Sequence, residues 1–273
     1  IIIPISENQL RIANDASSLR GVALLSIKIL DSLSKLGQGK RYRKTEILEI
    51  SCGISLVENA INIITPKGGW FYPHAVALKH KMRECKLSVN LLSDHKLLPR
   101  NNYITFYLSY PKIVPHDYLQ LSFSNVVVHA SDLPMGKGWS PWVWGVTEGK
   151  DDVTLSLFEV IQELDAGPVY MKEGLHFEGN ELLDEIRIKL SEKICEMCLA
   201  YSQTPQNFKA KKQVGTTSFY RKRNSLDSKI NPNKTIVENF NLLRVVDNDA
   251  YPAFFDYKGC QYKLMITKTK VNE

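Results

Sequence analysis

No stretch of this chain approaches the ~20 consecutive apolar residues that a membrane-crossing helix needs. The apolar opening Ile1-Ile2-Ile3-Pro4-Ile5 has no basic leader and meets polar residues at once. Neither a spanning helix nor a secretory core is expected, and the expected compartment is the cytoplasm. Cysteine is sparse: five residues, odd in number and scattered, which argues for reduced thiols over a disulfide framework. Cys195-x-x-Cys198 sits inside a helical pattern with no second ligand pair, so helix packing is expected there and no metal. Two phosphate-binding fingerprints are also missing. There is no GxGxxG after an early strand and no GxxxxGK[ST]; Gly37-x-Gly39 follows a helical pattern and precedes a basic loop. The usual nicotinamide, flavin and P-loop sites are therefore not expected. A dense basic face with regularly spaced aromatics is absent too, so no nucleic-acid partner is expected. The net charge of +6 suits anionic small molecules such as nucleotides or folates.

The 273 residues suffice for one large domain and a small appendage. Ser17 and Ser18 cap a helical pattern running to about Gly37, and residues 46–50 read as a short strand. An apolar run from Val57 to Ile64 ends at the turn signal Thr65-Pro66-Lys67-Gly68-Gly69. Pro73–Cys85 reads as a helix, Tyr103–Tyr110 as a strand, and a short helix leads into the strand Val126-Val127-Val128. Val153–Glu159 alternates like a strand with one polar face, and Gly179–Tyr201 is an amphipathic helix with Leu183, Ile186, Leu190, Ile194, Met197 and Tyr201 on one side. Asn207–Lys234 carries eight Lys or Arg against one acid, Asp227, and reads as an extended connector. Tyr251–Thr267 has the character of a terminal hairpin turning at Lys258-Gly259. Strands separated by helices indicate a Rossmann-like, mostly parallel α/β sheet, in which ligands bind beyond the carboxyl ends of the strands. The expected division is a catalytic domain over 1–205 and, over 206–273, a connector with a small β-containing subdomain.

The stretch from Asn125 to Tyr170 carries the chemistry. A β-branched strand delivers His129 into a loop with Ser131, Pro134, Gly136 and Gly138. A second strand-like stretch delivers Asp165 just before Ala166-Gly167-Pro168. A histidine at a sheet's carboxyl edge suits proton transfer near neutral pH, although alone it also fits a strand cap. A carboxylate beside it orients the ring, stabilises its charged form and holds a water. Asp165 alone fits a plain turn residue. Together the two point to acid–base chemistry.

His-Ala-Ser-Asp-Leu-Pro (129–134), followed by a Gly-containing basic loop, and Leu-Asp-Ala-Gly-Pro (164–168), placing Asp165 36 residues after the histidine, resemble the tetrahydrofolate-dependent formyltransferase family. Downstream, Tyr220-Arg221-Lys222-Arg223, Asp227 with Ile230, and Asn239–Asp247 leading into Tyr251-Pro252-Ala253-Phe254 resemble the family's segment after the catalytic domain. The resemblance covers roughly residues 103–266. Gly-Lys-Gly-Trp-Ser-Pro-Trp-Val-Trp-Gly (136–145) is similar to nucleotide-sugar formyltransferases of the pseudaminic-acid pathway.

That resemblance implies 10-formyltetrahydrofolate as donor and the 4-amino group of a UDP-linked 4-amino-4,6-dideoxy sugar as acceptor. It implies His129 and Asp165 as catalytic residues. Folate contacts are implied at Ser109, Tyr110, Ile113, Ile161, Glu163 and Leu164. Lys137 and Trp139 are placed to meet the sugar nucleotide, Lys137 as a point charge for phosphate and Trp139 by stacking; packing roles for Trp139, Trp142 and Trp144 stay open. One position departs from the pattern. The family's usual Asn two residues before the histidine is Val127 here, and Asn125 lies about 13 Å from His129 along an extended strand. The Asn role therefore does not transfer. The oligomeric state is open, a homodimer included. The alternatives are a folate-dependent formyltransferase or hydrolase with another acceptor, water included, and a non-catalytic nucleotide-binding module.

Overall fold

The computed structural model describes residues 58–269. The expected helix ending near Gly37, the strand at 46–50 and the Gly37-x-Gly39 loop lie outside the described residues. The chain divides into two compact units at Val126 and Val127, inside a single strand, and residues 206–273 share a unit with 127–205.

In the first unit, β1 (Glu58–Ile64), β2 (Ser88–Leu92), β3 (Asn102–Tyr107) and β4 (Ser122–His129) run parallel in the order β2-β1-β3-β4. Ile61, Ile63 and Ile64 of β1 and Ile104 and Phe106 of β3 are buried on both faces of their strands, as a covered parallel sheet requires. Polar residues cross this apolar sheet as a ladder. Asn90 donates to Asn62, Asn62 to Thr105, and the Thr105 and Ser122 hydroxyls are 2.7 Å apart. Buried polar groups are tolerable because each has such a partner.

Helix α1 (Tyr72–Glu84) covers this sheet with Ala75, Leu78 and Met82. Pro73 in its first turn forfeits no helical bond, and Lys81 and Arg83 suit its last turn. The expected strand 103–110 ends early, at Tyr107. Ser109 takes a left-handed φ of 49° ahead of Pro111, which breaks the extended run. A single helical turn, α2 (His116–Leu119), returns the chain to β4.

The second unit opens on the last residues of β4, and its strand order is β4-β6-β7. β5 (Lys137–Gly138) and α3 (Pro141–Thr147) follow, then the antiparallel pair β6 (Asp152–Glu159) and β7 (Val169–His176). The sheet is mostly parallel, with β7 as its antiparallel member. The apolar stretch expected to deliver Asp165 leaves strand geometry at Glu159, so Asp165 sits on a loop. Helix α4 (Leu183–Gln203) buries all six expected face residues. Cys198 is enclosed in the same helix, where burial pushes its thiol up, and Cys195 stands less than one turn away. Among the described residues no cluster of His, Cys, Asp or Glu has the makings of a metal site, and no helix is long and apolar enough to cross a membrane.

The basic connector is extended, as expected, and pairs with the elements before it. Lys211 exchanges backbone bonds with Val169, and β8 (Phe219–Tyr220) runs parallel to β5. Beyond it, α5 (Ile236–Leu243) starts at a Thr235/Glu238 capping box. The hairpin β9 (Ala253–Tyr257) and β10 (Cys260–Leu264) turns at Lys258 and Gly259, both at positive φ, the two-residue turn that matches strand twist. Leu243, Val246 and Ala253 form a small core under this hairpin. The side chain of Arg244, 1% exposed, donates to Asp151 and to the Glu181 carboxylate and carbonyl. Glu181 also accepts from Lys189 and from the backbone N–H groups of Glu178 and Gly179.

Candidate functional site

The site is built on two loops of the second unit. His129 is the last residue of β4, and Leu133, in the loop that follows it, packs with Phe158 and Val169 against Val127. Further on, Lys172 of β7 donates to the Asp132 carboxylate and the Leu133 carbonyl, and the Ser156 hydroxyl donates to the Ser131 carbonyl. The loop is therefore fixed from β6 and β7. The His129 ring meets Phe158 edge-on, and its Nε2 lies 2.9 Å from the Gly136 carbonyl. A carbonyl only accepts, so Nε2 carries the hydrogen, leaving Nδ1 as the acceptor in the neutral ring.

Asp165 approaches from the loop between β6 and β7. Its φ of 49° is left-handed, a conformation that Asp tolerates better than most residues. One carboxylate oxygen accepts the Gly138 N–H at 2.8 Å and stands 3.8 Å from His129 Nε2, with both side chains largely buried. At 3.8 Å the pair is in electrostatic reach but is not hydrogen bonded. The carbonyl of Gly136 and the N–H of Gly138 instead tie both groups to one loop. Two glycines permit this closeness. A Cβ on Gly138 would stand 2.3 Å from the Tyr220 carbonyl, and one on Gly167 would stand 1.7 Å from that of Glu159.

Between Gly136 and Gly138 lies Lys137, expected as a point charge for phosphate. Its side chain is only 6% exposed, because β8 pairs with β5 and lays Phe219 beside it, 5.7 Å from ammonium to ring centroid. Among the described residues its ammonium has no carboxylate partner. Trp139 keeps 39% of its surface and carries the Lys222 ammonium over its ring at 4.8 Å. Trp144 serves packing: it stacks on Tyr220, donates to the Arg221 carbonyl and lies under the Arg221 guanidinium.

Of the expected folate contacts, Ile161 and Leu164 are exposed on the Asp165 loop, and Glu163 is exposed between them. In the first unit Ile113 is exposed. The Tyr110 hydroxyl lies 2.7 Å from His95 Nδ1, and burial raises its phenol. Ser109 is exposed at its left-handed turn. Asn125 is buried with both ends of its amide engaged: Nδ2 donates to the Leu119 carbonyl, and Oδ1 accepts from Tyr107. Those bonds give it a structural part.

Two residues of the connector belong to the site and have no signal in the sequence. The Ser218 hydroxyl accepts the Gly136 N–H at 2.9 Å, and the Gln213 amide donates to the Asp165 and Gly167 carbonyls at 2.8 Å each. A polar residue in a basic connector shows neither period nor motif.

No family model matches the chain. The methionyl-tRNA formyltransferase of Malacoplasma penetrans is 25% identical over 185 residues, 66% of this chain and 58% of that protein. Two further relatives of the same name, from Sulfurihydrogenibium sp. and Caldicellulosiruptor saccharolyticus, are matched over 39% and 51% of their length. The chain thus spans roughly two-fifths to three-fifths of these relatives. Among solved structures, a methionyl-tRNA formyltransferase from Clostridium thermocellum superposes with a TM-score of 0.66 at 23% identity, over 77% of this chain and 93% of that one. A 4-N formyltransferase from Francisella tularensis gives 0.63 at 15% identity, over 78% and 99%. HypX from Aquifex aeolicus in complex with tetrahydrofolic acid gives 0.62 at 14%, over 76% and 37%.

Proposed function

We propose that this protein, which has the formyltransferase fold, transfers a formyl group from 10-formyltetrahydrofolate to the amino group, at C4, of a UDP-linked 4-amino-4,6-dideoxy sugar. The observation that carries the reading is the convergence of His129 and Asp165 on one glycine loop, 3.8 Å apart, on that fold. The donor is supported by the tetrahydrofolic acid held by the similar HypX. The aliphatic side chains of Ile161 and Leu164, exposed beside Asp165, offer apolar surface for a flat ring, with Glu163 as a polar contact. The part of Ser109, Tyr110 and Ile113 in holding folate rests on the family resemblance.

The neutral acceptor amine attacks the formyl carbon. A C–N bond forms, negative charge gathers on the formyl oxygen, and the bond to the folate nitrogen then breaks as that nitrogen takes a proton. His129 Nε2–H is the donor proposed for this oxygen, which it reaches by turning from the Gly136 carbonyl. Asp165 stabilises the charged imidazole and holds the water through which the amine's proton travels. No asparagine stands at the usual place, so His129 bears more of the oxyanion charge. The acceptor's phosphates supply the counter-ion that Lys137 lacks, and Trp139 offers a ring face for stacking.

A second reading has its own support: the curated relatives cited above are methionyl-tRNA formyltransferases, and that acceptor would use the basic connector. One experiment separates them. The protein is incubated with 10-formyltetrahydrofolate and, in turn, a UDP-4-amino sugar, initiator methionyl-tRNA, or buffer alone, and products are identified by mass. A formylated sugar nucleotide is expected. Formyl-methionyl-tRNA would replace the acceptor and keep the donor, whereas formate released in buffer alone would mark a hydrolase. No product, with no thermal stabilisation by folate or UDP-sugar, would sink the reading.

A further inference from the structure

We infer that Gln213 is a positioning residue, whose forked amide sets the direction of the Asp165 carboxylate. The role rests on the catalytic part proposed for Asp165. The amide carries two hydrogens, and both are spent on one turn of chain, on the carbonyls of Asp165 and Gly167 at 2.8 Å each. This match also fixes which way the amide faces, because the flipped form would press its oxygen against two carbonyls. The chosen orientation leaves Oε1 buried with no hydrogen-bond partner. An unsatisfied buried acceptor is costly. A side chain that merely filled space would be apolar, so the two donated bonds are what the position supplies.

What they hold is a strained segment. Asp165 sits at φ 49°, and the carbonyl that Gln213 grips belongs to that residue. Two positions on, Gly167 is pressed against Glu159, whose N–H donates to the Pro168 carbonyl. The loop is thus pinned by β6 on one side and Gln213 on the other. Lys211, two residues before Gln213, pairs its backbone with Val169 at 2.7 and 2.8 Å, which delivers the amide to the turn. With its backbone held at 165 and 167, the Asp165 carboxylate is directed at the Gly138 N–H and His129. Released, a loop residue at positive φ relaxes toward the common regions of backbone space and the carboxylate swings away.

Three variants test this: Gln213→Met, Gln213→Glu and Asp165→Ala, the last alone and combined with Gln213→Met. In Gln213→Met, kcat is expected to fall roughly 10- to 100-fold, the loss typical of a displaced catalytic group, with acceptor KM within about twofold of wild type. In the Asp165→Ala background, Gln213→Met is expected to cost nothing further, since its effect runs through that carboxylate. Gln213→Glu places a carboxylate against two carbonyls, which raises that group's pKa. Its activity relative to wild type is therefore expected to climb as pH falls and an O–H donor returns, while the Gln213→Met ratio stays flat. Hydrogen exchange over 163–168 supplies a readout that needs no activity: protection there is expected to fall in Gln213→Met while that of 183–203 holds. Unchanged exchange at 163–168, or a loss additive with Asp165→Ala, would overturn the assignment. If wild type transfers no formyl group but exchange responds as expected, the clasp stands and the catalytic reading fails.

Discussion

Arg244 and Lys137 are both cations buried to more than nine-tenths in the second unit, yet they keep different company. Arg244 spends its guanidinium on Asp151 and Glu181, and Glu181 in turn takes Lys189 and two backbone N–H groups. Lys137 has a phenyl ring and no carboxylate among the described residues. Around it, His129 and Asp165 face each other at 3.8 Å without a hydrogen bond, Ser131 Oγ and Gln213 Oε1 are buried without partners, and Asp165 has left-handed backbone. Burial of charge is expensive in both places. One place settles the cost internally and thereby joins α4 to the segment after α5. The other leaves valences open, which is the condition under which a bound molecule can complete them.

The sharpest way to break this contrast is to remove the chemical pair. His129→Ala, and separately Asp165→Ala, are expected to lower formyl transfer by about 10²- to 10⁴-fold, the range for a lost acid–base group. Each variant also loses one bond to the glycine loop, worth about 1 kcal/mol, so a small fall in melting temperature is expected beside the large loss of turnover. Near-normal turnover in either variant would withdraw that residue's role. Arg244→Met should show the reverse. It takes the guanidinium from Asp151 and from Glu181, which keeps Lys189 and two backbone N–H groups, and is expected to cost about 1–3 kcal/mol of stability by urea unfolding. Any surviving folded protein would keep its turnover.

Lys137→Met sharpens the comparison most directly. Removing an ammonium that has no carboxylate partner among the described residues is expected to leave stability within about 1 kcal/mol of wild type while weakening the UDP-sugar roughly 10- to 100-fold, by titration calorimetry. Loss of stability would instead show that Lys137 is a structural cation like Arg244. The smallest effect is on acid stability. Burial alone would raise the Glu181 carboxyl, but the Lys189 ammonium and backbone donors outweigh it and hold it down at about 2. A depressed folded pKa gives stability that is present above the ordinary value of 4.5 and lost as pH falls toward about 2. The melting temperature should therefore decline through that window, and more shallowly in Glu181→Gln.

Much of this was legible before any coordinates. The run Val126–Val128 announced a strand, and the turn chemistry after it placed His129 at a carboxyl edge. The six apolar positions of α4 and the Lys258-Gly259 turn were equally plain, because local periodicity and turn residues encode them. The limits of Asp165's delivery were harder to see: Val160 and Ile161 extend the apolar run, but pairing with β7 stops at the Gly167 pinch against Glu159. That β8 closes over Lys137 beside Gly138 carries no local signal, because Phe219 is distant in sequence. Gln213 and Ser218 were invisible. They act through single side chains on backbone groups 48 and 82 positions away, and a contact of that span leaves no period to read.

That span bears on the order in which the molecule assembles. His129 and Asp165 lie on loops already present when β7 emerges, but the chain that holds those loops in register comes later. Contacts of long sequence separation form last, after the entropy of closing their loops has been met by nearer packing. The pairing of Lys211 with Val169, and then of Ser218 with Gly136, would therefore be late steps. Until they form, the chain holds every chemical group of the proposed site, and none of the geometry that makes them act together.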